Sequence, residues 1–410
     1  MPIRLRPHQE TALKSMQLSH HGQIIVPTGG GKTFIMIQHA KELLKGQFKT
    51  VVVVAPRILL ANQLSNDFLE HIDNVDVLHV HSGETHHTST TKTDEIEEWH
   101  LGSVKNQIIF TTYHSLHKIT SSPSIEVSVM YCDEAHNSCS KQFFDAVKDM
   151  TMICERKYFF TATPKISYKH ERGMNNHKVF GHVIESVPAP TLIDNGSIIP
   201  PTIVPFTTSH DVDKKNRHLV HSDTVTDILD DLDIESSSKV LVAVPSSNIL
   251  RNMLVETDIL PQLAERGYNV LHITSKLGAY VNHTKVNREK FFDTLTAWGK
   301  DPLKKFIIFH YSILSEGINV SGLTHCILLR NQSVVSMAQT VGRVIRLHPD
   351  DANDINNGVI PRGQLELYRK PTGYVTIPIH KNHGKRTLTR LQRVVDEIFI
   401  QGIPATAYVG

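Results

Sequence analysis

The chain has 410 residues, 43 basic against 41 acidic side chains for a net charge of +2, and a hydrophobic share of 40%. That is enough apolar material for two or three cores, and it excludes a mainly disordered chain. No apolar run approaches the ~18 residues of a membrane span, and no signal peptide is expected at the N-terminus. Cys132, Cys139, Cys154 and Cys326 offer neither a disulfide framework nor a zinc spacing. A reducing, intracellular compartment is the simplest reading.

Short apolar runs alternate with helix-length segments. In chain order they are residues 23–26, 51–55, 77–81, 107–111, 129–133 and 158–161, then 239–244, 269–273, 305–309 and 326–329. Runs apolar on both faces, with helices between them, predict parallel sheets. Two such sets predict an α/β fold of two tandem domains. Pro188, Pro190, Pro200, Pro201 and Pro205 interrupt any helix between the sets, and an acidic stretch follows at 211–235, with eight acids against three bases. The division read is a first domain over 1–200, a linker leading into the second domain over 201–238, a second domain over 239–350, and a basic C-terminal extension over 351–410. The extension opens on Asn- and Gly-rich loop chemistry, then predicts a strand over 374–379 and a helix over 387–400. Residues 360–395 hold eight bases against one acid, Glu366. That is either a nucleic-acid footprint or a solvated tail. The 26 histidines read as surface or packing residues, so net charge should climb steeply below about pH 6.5.

Val26-Pro27-Thr28-Gly29-Gly30-Gly31-Lys32-Thr33 follows the first strand and opens a helix predicted over 34–44. Glycines let backbone N–H groups converge on phosphate oxygens, and a helix N-terminus favours an anion. Lys32 would reach the β- and γ-phosphates of a nucleotide, and Thr33 would ligate Mg²⁺. Val26 stands where the strict pattern has glycine. Asp133-Glu134-Ala135-His136 closes the run at 129–132. Two adjacent carboxylates can divide the work, Asp133 holding the metal and Glu134 orienting and deprotonating the attacking water. Gln339-Thr340-Val341-Gly342-Arg343-Val344-Ile345-Arg346 has helical spacing, which puts Gln339, Arg343 and Arg346 on one face. Arginines there could neutralise charge developing on a transferred phosphoryl group; a helix with solvated arginines has the same pattern.

Taken in order, Gly29 to Thr33, Asp133 to His136, Thr161-Ala162-Thr163 and Gln339 to Arg346 resemble motifs I, II, III and VI of superfamily 2 helicases. Leu5-Arg6-Pro7-His8-Gln9 is similar to the adenine-reading Q-type motif, Ala55-Pro56-Arg57 to motif Ia, and Thr111-Thr112-Tyr113 to motif Ib. Residues 240–246 suit motif IV, and Ser315-Glu316-Gly317-Ile318-Asn319 resembles motif V, with Asn319 where aspartate is usual. The resemblance covers residues 3–350. Within the superfamily the pattern is similar to the group of restriction-enzyme motor subunits, nucleotide-excision-repair helicases and phage UvsW-type branch-migration helicases. The short, unadorned chain looks most like the phage type.

The resemblance implies two tandem RecA-like domains, each a parallel β-sheet flanked by helices. It implies ATP and Mg²⁺ as cofactors. Gln9, Thr28, Gly29, Gly30, Gly31, Lys32, Thr33, Gly317 and Asn319 would bind the nucleotide, and Thr33 and Asp133 the metal. Lys32, Asp133, Glu134, Gln339, Arg343 and Arg346 would carry hydrolysis. Pro56, Arg57, Thr111 and Thr112 would contact nucleic acid, and His136, Thr161 and Thr163 would couple hydrolysis to motion. Charge and spacing add Lys385, Arg386, Arg390 and Arg393 as a phosphate-tracking face. The implied activity is an ATP-dependent helicase or translocase on DNA forks or junctions, by unwinding or branch migration, in the cytoplasm, with DNA favoured over RNA. A duplex translocase without strand separation, an RNA helicase and an ATP-switched nucleic-acid sensor or clamp are the alternatives.

Overall fold

The computed structural model describes residues 5–83, 85–169, 171–231, 238–274, 277–311 and 322–409. They divide into two compact units, Met1–Pro188 with Pro404–Gly410, and Ala189–Ile403.

The first unit contains β1 (His21–Ile25), β2 (Thr50–Ala55), β3 (Val75–Val80), β4 (Asn106–Thr112), β5 (Val127–Cys132), β6 (Cys154–Thr161), β7 (Lys165–Ile166) and β8 (His182–Ser186). Seven of these form one sheet in the order β3-β4-β2-β5-β6-β1-β8, with every pairing parallel. The cause is visible in β2, where Val51, Val52, Val53 and Val54 are all buried. β-Branched side chains crowd a helix but fit a pleat covered on both faces. A parallel strand can return only through a crossover, so helices such as Lys32–Leu43 and Ile58–Leu69 alternate with the strands. The C-terminal ends of the strands then share one edge, and the loops after β1, β2, β4, β5 and β6 gather there. Val52, Val54, Ile109, Met130 and Phe159 build the core on one side with Phe144 and Phe180.

The second unit contains β9 (Pro201–Thr207), β10 (Lys239–Ala243), β11 (Asn269–Thr274), β12 (Gly278–Val281), β13 (Thr284–Val286), β14 (Phe306–His310), β15 (His325–Leu328) and β16 (Gly373–Ile379). They form one sheet in the order β13-β12-β11-β14-β10-β15-β16-β9. The β12–β13 hairpin is antiparallel to its neighbour β11, and the remaining pairs are parallel. Val240, Val242, Ile307, Phe309 and Ile327 pack with Leu250, Met253 and Leu263 beneath it.

The structure divides the chain differently from the sequence reading in three places. The break falls after Pro188, and residues 201–207 are strand rather than linker. Pro201 and Pro205 cannot donate to a ladder on both sides, which suits β9 to its place at the sheet edge. Residues 351–403 are part of the second unit, because β16 lies between β15 and β9. The last residues belong to the first unit, where β17 (Ala407–Tyr408) pairs with β7. The helix expected over 387–400 begins at Lys385 and passes into a π-helical turn, Val395–Ile400. Among the described residues, no helix is long and apolar enough to cross a membrane.

Candidate active site

The glycine loop leaves β1 at Val26, whose N–H is held by the Thr161 carbonyl at 3.0 Å. Gly29 and Gly31 have φ of +88° and +79°, the left-handed region that glycine enters without penalty. Gly31 then caps the helix Lys32–Leu43. A Cβ there would also sit 2.5 Å from Gln9 Nε2, so the Q-type residue lies directly against the loop. Gln9 is positioned by its own helix start: its Oε1 accepts the Arg6 N–H at 3.0 Å, and Pro7 occupies the first turn. His8 Nε2 lies 2.7 Å from the Gly30 carbonyl. In the sequence, the place of His8 beside Gln9 is the one signal of this contact.

Asp133 and Glu134 follow β5 and are both buried. The Asp133 N–H donates to Val54 O at 2.9 Å, and Tyr113 Oη donates to the Asp133 carbonyl at 2.8 Å. Tyr113 thus supports the loop that carries Asp133, a task its residue type and position in the sequence do not reveal. Burial, with the Glu134 charge second, pushes the Asp133 carboxyl up to about 7, against the pull of Lys32. Asp133 Oδ1 has no hydrogen-bond partner among the described residues. A buried carboxylate oxygen in that state suits a hard cation, and Thr33, the second residue of the helix Lys32–Leu43, would supply a second oxygen. The donor set therefore fits Mg²⁺. Among the described residues no group of three or more His, Cys, Asp or Glu side chains could hold a metal ion.

Lys32 Nζ stands 3.6 Å from Glu134 Oε1, and Glu134 Oε2 is 3.5 Å from His136 Nδ1. His136 Nδ1 is in turn 3.0 Å from Thr161 Oγ1 and 3.3 Å from Thr163 Oγ1. The Thr161 hydroxyl also accepts the Thr163 N–H at 3.1 Å. Residues from three separate loops thus form one connected chain. Arg57 is exposed at the start of the helix Ile58–Leu69, with Pro56 half-buried beside it. Thr111 and Thr112 differ from expectation: both are buried. The Thr111 hydroxyl donates to Val80 O at 2.9 Å, so it stitches β4 to its neighbour instead of facing a ligand.

In the second unit, Gln339 and Arg343 are buried on the helix Val334–Val344. The helix stops at Val344, so Arg346 lies beyond it rather than on its face. Pro349 opens the next helix and forces extended backbone at His348, which leaves Arg346 in the connecting bend. Gly317 and Asn319 lie outside the described residues. The C-terminal basic cluster is largely committed to the fold. Arg390 Nη1 donates to Asn331 Oδ1 and the Gln332 carbonyl, at 2.9 and 2.5 Å. Arg393 pairs with Glu397 at 2.7 Å and Arg369 with Asp351 and Asp354, and Lys370 is buried. Lys385 and Arg386 are exposed.

Residues 2–166 match the family model described as "Type III restriction enzyme, res subunit", and residues 221–348 match "Helicase conserved C-terminal domain". Among solved structures, the Type ISP restriction-modification enzyme LlaBIII bound to DNA is similar over 100% of this chain and 31% of that one, with a TM-score of 0.72 and 15% identity. Mss116p bound to ssRNA and AMP-PNP is similar over 99% of this chain and 74% of that one, with a TM-score of 0.62 and 15% identity. The Hef helicase domain of Pyrococcus furiosus matches 95% of this chain and 98% of that one, with a TM-score of 0.56 and 13% identity. At these identities the likeness is one of fold. The chain spans under a third of the length of the restriction-modification enzymes it resembles. No curated protein sequence matches it.

The two matched domains lie on two tandem RecA-like units, residues 2–166 on the first and 221–348 on the second. The chain belongs to superfamily 2 of the helicases and translocases.

Proposed function

We propose that this protein is a DNA motor that uses ATP hydrolysis to unwind or branch-migrate forks and junctions. The observation that carries the reading is the connected chain Lys32–Glu134–His136–Thr161/Thr163 beside the glycine loop. In this reading the N–H groups of Gly29, Gly30 and Gly31 hold phosphate oxygens, and Thr28 lines the loop. The Lys32 ammonium leaves Glu134 for the β- and γ-phosphates, which frees the Glu134 carboxylate to orient a water and take its proton. Mg²⁺, held by Thr33 and Asp133, would neutralise phosphate charge. Gln9 reads the base. Arg343 and Arg346, supported by Gln339, stabilise the charge that develops on the transferred phosphoryl group. His136 transmits the state of Glu134 to Thr161 and Thr163, and so to the loop after β6.

DNA is favoured over RNA because the first domain matches a restriction-enzyme motor family, and LlaBIII was solved with DNA. Mss116p was solved with single-stranded RNA, which keeps an RNA helicase as the second reading. Pro56 and Arg57, with Lys385 and Arg386, are the proposed phosphate contacts. Such contacts carry no sequence information, so binding should be salt-dependent and nearly sequence-independent.

The test is ATP turnover measured in parallel with single-stranded DNA, duplex DNA, forked DNA, four-way junctions and RNA, with strand separation followed on the same substrates. Strongest stimulation by forks or junctions, with strand exchange or separation, is expected. Stimulation by RNA alone would replace the DNA reading. Stimulation by plain duplex without separation would leave a translocase.

A further inference from the structure

The last backbone carbonyl of the helix Val334–Val344 and the two that follow it are each held from outside the helix. Lys370 Nζ donates to Val344 O at 2.6 Å and to Arg346 O at 2.8 Å. Between them, Ile345 O accepts the Ile199 N–H at 2.9 Å. The third donor of the same ammonium goes to Leu323 O at 2.5 Å, two residues before β15 begins. A lysine has three N–H donors and no acceptor, and here all three end on carbonyls.

Lys370 is itself pinned. Its backbone N–H donates to Asp351 Oδ2 at 3.1 Å, and Asp351 is fully buried. Asp351 Oδ1 takes the Arg369 N–H at 3.0 Å and Arg369 Nη1 at 3.1 Å. Three residues further on, a Cβ at Gly373 would strike the Val344 carbonyl oxygen, so β16 can start there only with glycine. Burial, with the Arg346 guanidinium second, pulls the Lys370 ammonium down to about 7. A buried cation is costly to desolvate, and an apolar side chain would serve stability alone as well or better. What the cation supplies is a fixed arrangement: the end of the helix, the bend that carries Arg346, and the segment leading into β15 are tied at one nitrogen.

We propose that Lys370 is a positioning residue for ATP hydrolysis, fixing the backbone from which Arg343 and Arg346 project. This rests on the role given to those arginines under the proposed function. Lys370 lies beyond the segment that resembles the helicase motifs, within the basic stretch whose sequence fits either a nucleic-acid footprint or a solvated tail. The structure turns that lysine inward.

A double-mutant cycle tests it, with steady-state ATP turnover and thermal melting of wild type, Lys370→Met, Arg346→Ala and the double variant. For folded Lys370→Met, kcat should fall about 100-fold, the scale of a ~1 Å misplacement, while KM for ATP holds. The double variant should lose far less than the product of the two single losses, because both substitutions act on one shared contribution. A kcat unchanged in folded Lys370→Met, or losses that multiply in the double, would overturn the proposal. Wild-type turnover in Arg346→Ala would remove the arginine assignment itself, a failure seen without any change at Lys370, and the positioning role would fall with it. Where Lys370→Met does not fold, Lys370→Gln keeps two N–H donors and carries the same cycle. Failure of both to fold would make Lys370 a folding residue and overturn the proposal as well.

Discussion

Glu134 adopts φ +45° and ψ +51°, left-handed backbone that is unfavourable for a residue with a Cβ. The conformation is held by Asn137, whose N–H and Nδ2 both reach the Glu134 carbonyl, at 3.0 and 2.9 Å. It turns the carboxylate back over the end of β5, toward Lys32 on one side and His136 on the other. Strain of this kind persists where the surroundings over-determine it. His221 shows a second residue-scale effect. It is fully buried, and neither ring nitrogen has a hydrogen-bond partner among the described residues. Burial, helped by Arg217, His380 and His383, lowers its pKa to about 3. Burial likewise holds His310 at about 3 and His380 at about 4. The unfolded chain binds these protons near 6.5 and the folded chain does not. Their contribution to stability is therefore complete above pH 6.5 and is lost as pH falls toward 3. His221→Leu should leave stability near neutral pH little changed and flatten its acid dependence by up to about 1.4 kcal/mol per pH unit. Denaturant titrations from pH 7 to pH 4 check this; parallel slopes for variant and wild type would contradict it. The steep charge gain expected from 26 histidines below pH 6.5 is correspondingly shifted, because several cannot titrate until the fold opens.

Among the elements, the helix Lys385–Val394 separates what spacing can say from what it cannot. Its apolar face was legible, and Leu391 and Val394 are buried, with the helix packing against Val334–Val344. Its basic face was not, because charge and spacing do not reveal which cations find partners. Arg390 is drawn to the loop before Val334, and Arg393 to Glu397 one turn on. Of the four, Lys385 and Arg386 are exposed and have no side-chain hydrogen bond or ion pair among the described residues. Reversing Lys385 and Arg386 together should weaken DNA binding and reduce its salt slope by ~0.7–0.9 per lost phosphate contact, with melting unchanged. Binding measured across a salt series decides; an unaltered slope would leave this helix a packing element. Strand reading followed the same logic. Runs apolar on both faces, such as 51–54, were plain because burial on both sides leaves no alternative pattern. β9 and the β12–β13 hairpin were missed because prolines and mixed polarity at a sheet edge resemble a loop.

For the whole molecule, two α/β units and the loops of the first site were readable because nucleotide chemistry fixes residue types at fixed spacings. The chain's return was not. No local pattern says that residues 373–379 will enter a sheet between β15 and β9, or that residues after 403 will pair beside β7. Those are long-range pairings. The same limit explains Thr111, which has the residue type of a surface contact but the hydrogen bond of a sheet interior. In the proposed mechanism Glu134 activates water at a nucleotide held by Lys32, and this reaction drives work on nucleic acid. Its most direct measurement is ATP turnover by Glu134→Gln on forked DNA, with nucleotide binding followed on the same protein. A folded variant that binds Mg²⁺-ATP as wild type does and turns it over at least ~100-fold more slowly is expected from this role of Glu134. Turnover close to wild type in that folded, ATP-binding variant would contradict it.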